Sequence, residues 1–390
     1  MRGLSRERVP ELDGIRAIAC LLVLWVHLGP AAFQPPSVLR AGSTGVDLFF
    51  VLSGFLITRI LLYNRHHGVS LKTFMIKRAA RIFPVAYLGI VLCMLVRPSW
   101  EMIYSAAYLQ NVGAIFDLSR GVVNTHYWTL AIEEQFYLVI PFIVLFWPAR
   151  TLRQVLVSLC LVCIASVYAV TMLSPMLDRL TLDLAISSGT TTRGWLLLAG
   201  SVIASFESHV RFDKVKPIVI AISLVFVSAA LISPSFSILG LQDPVPWFGG
   251  ASSFGDGMIR RQLIVLGIFI FCLSPAGRSQ LTILRDPLLG YIGSRSYGLY
   301  VYHMVVFEIC GVRKGLTTTE SPWASWLALA LTFAIAELSY RFVELPIMSR
   351  CSRAIEEKAQ PDTPRHIAAY ASTKEQRNTS EIDELTHRAA

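Results

Sequence analysis

The chain has 390 residues, of which 54% are hydrophobic and only 16% charged. That balance excludes an ordinary water-soluble surface over most of the length, because a soluble domain carries about a quarter charged residues. The net charge of +9 does not point to nucleic acid either, since the basic residues fall between apolar runs instead of forming one stripe interleaved with aromatic rings.

Lipid is therefore the solvent expected for most of the chain. A bilayer core needs roughly 20 mostly apolar residues per helix, and such runs occur at residues 15–33, 44–62, 82–96, 128–147, 154–173, 190–206, 217–233, 262–275, 287–310 and 324–343. The expected fold is all-α, a polytopic bundle of about ten transmembrane helices. Its third, sixth and eighth members are short. The first run follows a basic start, but no small-x-small cleavage site ends it, so it reads as a span and not as a signal peptide.

Loop charge orients the bundle, because Lys and Arg concentrate on the cytoplasmic side. Alternate loops carry Arg59, Arg65, Lys72, Lys77, Arg78 and Arg81, then Arg150 and Arg153, then Arg278 and Arg285. The opposite loops hold isolated basic residues such as Arg97 and Arg179, or pairs such as Arg260 with Arg261. The pattern predicts an integral plasma (inner) membrane protein with both termini cytoplasmic. Residues 1–349 read as one membrane domain, and residues 350–390 as a polar cytoplasmic tail with too few apolar residues to fold. Internal repeats, a Walker loop and a GxGxxG cradle are all missing, which disfavours an ATP-driven pump. Cys160 and Cys163 have CxxC spacing, yet they lie in a lipid-type run without a second ligand pair, so no metal is expected.

Ionisable residues inside apolar spans are costly and mark function. Arg16 stands at the inner end of the first span, and His27 lies about 16 Å farther along it at 1.5 Å per residue. Depth counting places Asp47, Glu133 or Glu134, and His303 near the level of His27 on three other spans. Arg16, Arg59, Arg78, Arg81 and Arg341 fall at the cytoplasmic level. Guanidinium forks suit a phosphorylated polyanion, and a neutral imidazole beside a carboxylate suits deprotonation of a hydroxyl. Taken singly, each residue has an ordinary role: an intramembrane histidine often only bonds between helices, and inner arginines snorkel to headgroups. Gly45 and Gly54 flank a phenylalanine-rich span and read as close-packing positions, while Trp128 and Tyr137 read as interface anchors.

Six segments in order carry a family resemblance: LDGIRAIA at residues 12–19 followed by His27, GVDLFFVLSGFLI at 45–57, KRAARIFP at 77–84, WTLAIEEQFY at 128–137, SYGLYVYH at 296–303 and YRFVELP at 340–346. Together they resemble the acyltransferase-3 family of multi-span O-acyltransferases over nearly all of residues 10–346. The resemblance implies about ten helices, acyl-CoA (acetyl-CoA by default) as donor, and a hydroxyl of a surface carbohydrate or lipid-linked glycan as acceptor. It implies that His27 is catalytic with Glu133 or Glu134, and that Arg16, Arg78 and Arg81 bind the acyl-CoA. Lys77 stands where many members have Arg, which keeps a charge but not a fork.

Competing motifs fail on inspection. His66-His67 lacks the acid of an HHxxxD motif because position 71 is Leu, His209 and Asp213 have HxxxD spacing only in a short basic loop, and no GxSxG elbow occurs. The expected mechanism has acyl-CoA phosphates near Arg16, Arg78 and Arg81 and the thioester at His27. There His27 takes the acceptor proton or carries the acyl group, helped by a carboxylate, with Asp47 and His303 contacting substrate. Polysaccharide biosynthesis proteins or a second copy are the expected protein partners. A transporter or flippase for a glycan precursor is the alternative, because proton relays use the same residue types.

Overall fold

The computed structural model describes residues 9–28, 43–119, 122–207, 251–312 and 322–359. All regular secondary structure among them is helical. The helices are α1 Pro10–His27, α2 Ser43–His66, α3 Leu71–Val96, α4 Met102–Ala106, α5 Gln110–Ile115, α6 Tyr127–Phe146 and α7 Leu152–Met172. They continue with α8 Arg179–Ser188, α9 Thr190–Glu207, α10 Ala251–Leu273, α11 Pro275–Gln280, α12 Pro287–Ile309, α13 Pro322–Ser339 and α14 Leu345–Ala359. The run at 217–233 lies outside the described residues, as do residues 360–390 of the expected tail. By length and composition, five segments among the described residues are able to cross a membrane: Thr44–His66, Leu71–Val96, Tyr127–Phe146, Leu152–Met172 and Trp323–Glu357.

Two helix starts depart furthest from the sequence expectation. The third span was expected from 82, but α3 starts at Leu71, where Ser70 caps it by accepting the Thr73 N–H at 3.2 Å. Arg78 and Arg81 are therefore on one face of a helix and not in a loop. The eighth was expected from 262, but α10 starts at Ala251, so the Arg260–Arg261 pair lies inside it. In both cases charged residues interrupt the apolar run without interrupting the helix, because their partners are other helices. At the far end α13 passes through a π-helical turn, Tyr340–Glu344, into α14, and helix persists nine residues beyond position 350 to Ala359.

Helices approach closely where glycine removes a side chain. Gly54 on α2 faces the Leu197 carbonyl on α9, Gly45 faces the Ala19 carbonyl on α1, and Gly293 on α12 faces the Asp13 carbonyl on α1; a Cβ at any of these would collide with backbone. Packing is thus the physical role of Gly45 and Gly54. We expect Gly54→Ala to force α2 and α9 apart at a cost of about 1–3 kcal/mol, read as a lower unfolding midpoint of the purified protein in detergent. An unchanged midpoint would show that the contact relaxes freely. The same three approaches join α1, α2, α9 and α12 into one buried apolar body, and polar side chains inside it build the networks below.

Candidate active site

Three imidazoles from three elements meet at one end of α1. The ring centroid of His303 on α12 is 5.1 Å from that of His27 and 4.7 Å from that of His126, which immediately precedes α6. Each ring has one nitrogen against a backbone carbonyl: His27 Nδ1 on Val23 O at 2.8 Å, His303 Nδ1 on Tyr300 O at 2.6 Å and His126 Nε2 on Val301 O at 3.3 Å. A carbonyl only accepts, so those nitrogens carry the protons. In the neutral rings the basic atoms are then His27 Nε2, His303 Nε2 and His126 Nδ1. The last two are buried without a hydrogen-bond partner. Tyr300 braces the group, its hydroxyl donating to the His126 carbonyl at 3.1 Å and lying 2.6 Å from Thr129 Oγ1.

The carbonyl of Val23, one turn back on the same helix, therefore holds the His27 N–H; a carboxylate was expected there. Glu133 points elsewhere. It sits about 10 Å along α6 from His126 at 1.5 Å per residue, where its Oε1 accepts from Ser53 Oγ at 2.9 Å and its Oε2 from the Tyr137 hydroxyl at 3.2 Å. The difference arises from helix phase. Residues 133 and 137 share the face turned to α2 and α3, which axial depth alone does not reveal.

Arg16, Arg78 and Arg81 do come together, since each lies within electrostatic range of another in the set. Arg78 stacks over the Tyr137 ring at 4.0 Å, and Glu133 and Glu134 are within its range. Arg16 binds Asp13 at 2.9 Å, and Arg81, an exposed side chain, faces the buried Glu344 of the π-helical turn. The arginine cluster is thus matched by carboxylates from α1, α6 and the π turn. Arg341, expected with this group, pairs instead with Glu337, which also binds Arg295 at 2.7 Å. Tyr137, expected as an interface anchor, is 1% exposed and serves as the platform for Arg78.

Asp47 belongs to a third network. It is fully buried, 2.7 Å from Arg193 Nη2 on α9 and 2.8 Å from Arg261 Nε on α10, with Gln262 Nε2 at 3.4 Å. Arg193 also lies against the faces of Phe50 and Trp128, 5.6 and 5.4 Å from their centroids. Among the described residues, no group of three or more His, Cys, Asp or Glu side chains is arranged to hold a metal ion.

The arrangement offers two kinds of chemistry: a half-buried imidazole, His27, beside two buried ones, and a cluster of guanidiniums able to exchange carboxylates for phosphates. A family model for the acyltransferase domain matches residues 9–341. The chain belongs to the acyltransferase-3 family. Peptidoglycan O-acetyltransferase OatA of Listeria monocytogenes is 30% identical over 377 residues, covering 88% of this chain and 56% of the relative. O-acetyltransferase OatA of Staphylococcus aureus is 28% identical over 376 residues, covering 90% of this chain and 59% of the relative. The chain thus spans a little more than half the length of these relatives. No solved structure matches it.

Sequence reasoning missed three residues of this acyltransferase-3 chain. His126 stands just outside an apolar run, two residues before the WTLAIEEQFY segment, so a reading of charges within runs passes over it. Arg193 was inside the sixth run, and an arginine in a span is itself the signal that should have singled it out. Glu344 lay within the quoted YRFVELP segment, where only Arg341 was read as functional.

Proposed function

We propose that this chain is a membrane-embedded O-acetyltransferase that moves the acetyl group of acetyl-CoA to a hydroxyl of a cell-surface carbohydrate. The single observation that carries the reading is His27: its Nδ1–H is held by Val23 O at 2.8 Å, which leaves Nε2 as a base beside two further imidazoles. Family membership and the O-acetyltransferase relatives support the same class of reaction.

In this reading the donor phosphates bind at Arg16, Arg78 and Arg81, replacing carboxylates as guanidinium partners, and the pantetheine arm runs through the helical body toward His27. His27 Nε2 takes the proton of the acceptor hydroxyl, the oxygen attacks the thioester carbon, the C–S bond breaks and the leaving thiolate receives the proton. In the alternative route Nε2 attacks the thioester carbon and expels the CoA thiolate, forming an acetyl-imidazole; the hydroxyl oxygen then attacks its carbonyl, the C–N bond breaks and the thiolate takes the hydroxyl proton. Ping-pong kinetics with a trapped acetyl-histidine separate the second from the first. His303 contacts the acceptor, and Glu133 and Glu134 act on the donor side through Arg78. Ten spans, both termini cytoplasmic, an inner-membrane location, a membrane domain ending near residue 349 with a polar tail after it, and polysaccharide biosynthesis proteins or a second copy as partners complete the proposal.

The test is mass spectrometry of surface glycans from cells with and without this chain. Loss of one acetyl unit per modified sugar is expected; unchanged glycans with altered export of a glycan precursor would favour a flippase. Arg78 provides a second test. Arg78→Lys keeps the charge but loses the fork and its broad stacking on Tyr137, so KM for acetyl-CoA should rise about tenfold, about 1.4 kcal/mol, with kcat little changed. An unaltered KM would remove Arg78 from the donor site.

A further inference from the structure

The arginine cluster at Arg16, Arg78 and Arg81 is met by four carboxyl groups: Asp13, Glu133, Glu134 and Glu344 stand within electrostatic range of its members. The network around Asp47 is poorer in them. Asp47 is the one carboxylate there among the described residues, and it faces two guanidiniums, Arg193 and Arg261. Arg193 is 1% exposed, and its Nε, though buried, has no hydrogen-bond partner. Its Nη2 is near enough to Asp47 for an ion pair but off the hydrogen-bonding direction. Among the described residues the network thus carries one positive charge more than negative, and such a surplus is expensive in a low-dielectric interior unless an anion meets it.

The surroundings suggest which anion. Arg193 lies against Trp128, and Tyr300, within its electrostatic range, has its ring 5.5 Å from that of His303 and 5.3 Å from that of His126. One aromatic residue therefore separates the surplus charge from the imidazole cluster. Arg261 is the partly accessible member, with a quarter of its side chain exposed. A tryptophan face, a hydroxyl and a guanidinium fork beside the imidazole cluster suit a sugar that bears an anionic substituent.

We infer that Arg193 and Arg261, held by Asp47, form an anion subsite for a carboxylate or phosphate on the acceptor glycan, close to the hydroxyl that is acetylated. The inference rests on the glycan-acceptor reading for its occupant. Its test reads binding without acyl transfer, so either idea can fail alone.

The purified full chain in neutral detergent is heated with glucuronate, with glucose 1-phosphate or with glucose, and the unfolding midpoint is followed as each is raised toward saturation. An anionic sugar is expected to raise the midpoint by about 2 °C or more, and glucose is not. Whichever of the two anionic sugars gives the larger shift identifies the group as carboxylate or phosphate. The shift should vanish in Arg261→Gln and persist in Arg78→Gln. Gln262→Glu gives an independent check, because it keeps the shape that accepts the Trp195 indole N–H at 2.9 Å while cancelling the surplus charge; it too should abolish the shift. No shift with either anionic sugar overturns the inference. So does a shift that survives both Arg261→Gln and Gln262→Glu, or one lost only in Arg78→Gln, which would place the anion at the arginine cluster.

Discussion

Replacing His27 with alanine is expected to lower kcat/KM for acetyl transfer about 10³-fold, equivalent to about 4 kcal/mol of transition-state stabilisation. The imidazole is oriented from within its own helix, by Val23 O at 2.8 Å. The ring is half-buried and touches His303 edge-on at 5.1 Å, so its loss removes little packing, and the variant should fold. Neither remaining imidazole takes its place, because His126 and His303 are each fixed to a backbone carbonyl of α12, Val301 O and Tyr300 O. Release of free thiol from acetyl-CoA in the presence of glycan measures the effect. Donor KM should stay near wild type, since His27 is about 16 Å along α1 from Arg16 at 1.5 Å per residue. Retention of more than about a tenth of wild-type activity would assign the proton transfer elsewhere. A variant that loses donor binding and turnover together would make His27 a structural residue.

What could be read from the sequence follows a physical line. Apolar runs locate helices well when lipid is their neighbour, as for α6 and α7, each recovered to within two residues at both ends. They locate helix starts poorly where a helix enters a polar protein interior. Arg78 and Arg81 on α3, and Arg261 on α10, looked like loop charge because the solvent of those turns is other helices and not lipid. Depth along a span was legible from axial rise, and it grouped Arg16 with Arg78 and Arg81 and His27 with His303. Azimuth was not. Helix phase turns Glu133 toward Ser53 and Tyr137, and it turns Asp47 toward Arg193 and Arg261, so residues expected at one site occupy three.

Asp47→Ala should cost the fold about 3–5 kcal/mol, the range for leaving a buried charge without its partner. The carboxylate joins three helices, since Arg193 comes from α9 and Arg261 from α10 while Asp47 sits in the first turns of α2. Removing it leaves two guanidiniums facing each other in the interior. The expected result is a steep fall in the unfolding midpoint of the extracted protein, or failure to recover a monodisperse species. A charge argument and a packing argument can be told apart here. Asp47→Asn keeps the shape and loses the charge, so it should also destabilise. Adding Arg261→Gln to Asp47→Asn returns the network to its original surplus of one, and the double variant should therefore be more stable than the sum of the two single losses predicts, by about 0.5–3 kcal/mol. Strict additivity would mean that Asp47 does not act on the arginines through its charge, and the network would then be a set of independent contacts and not an electrostatic unit.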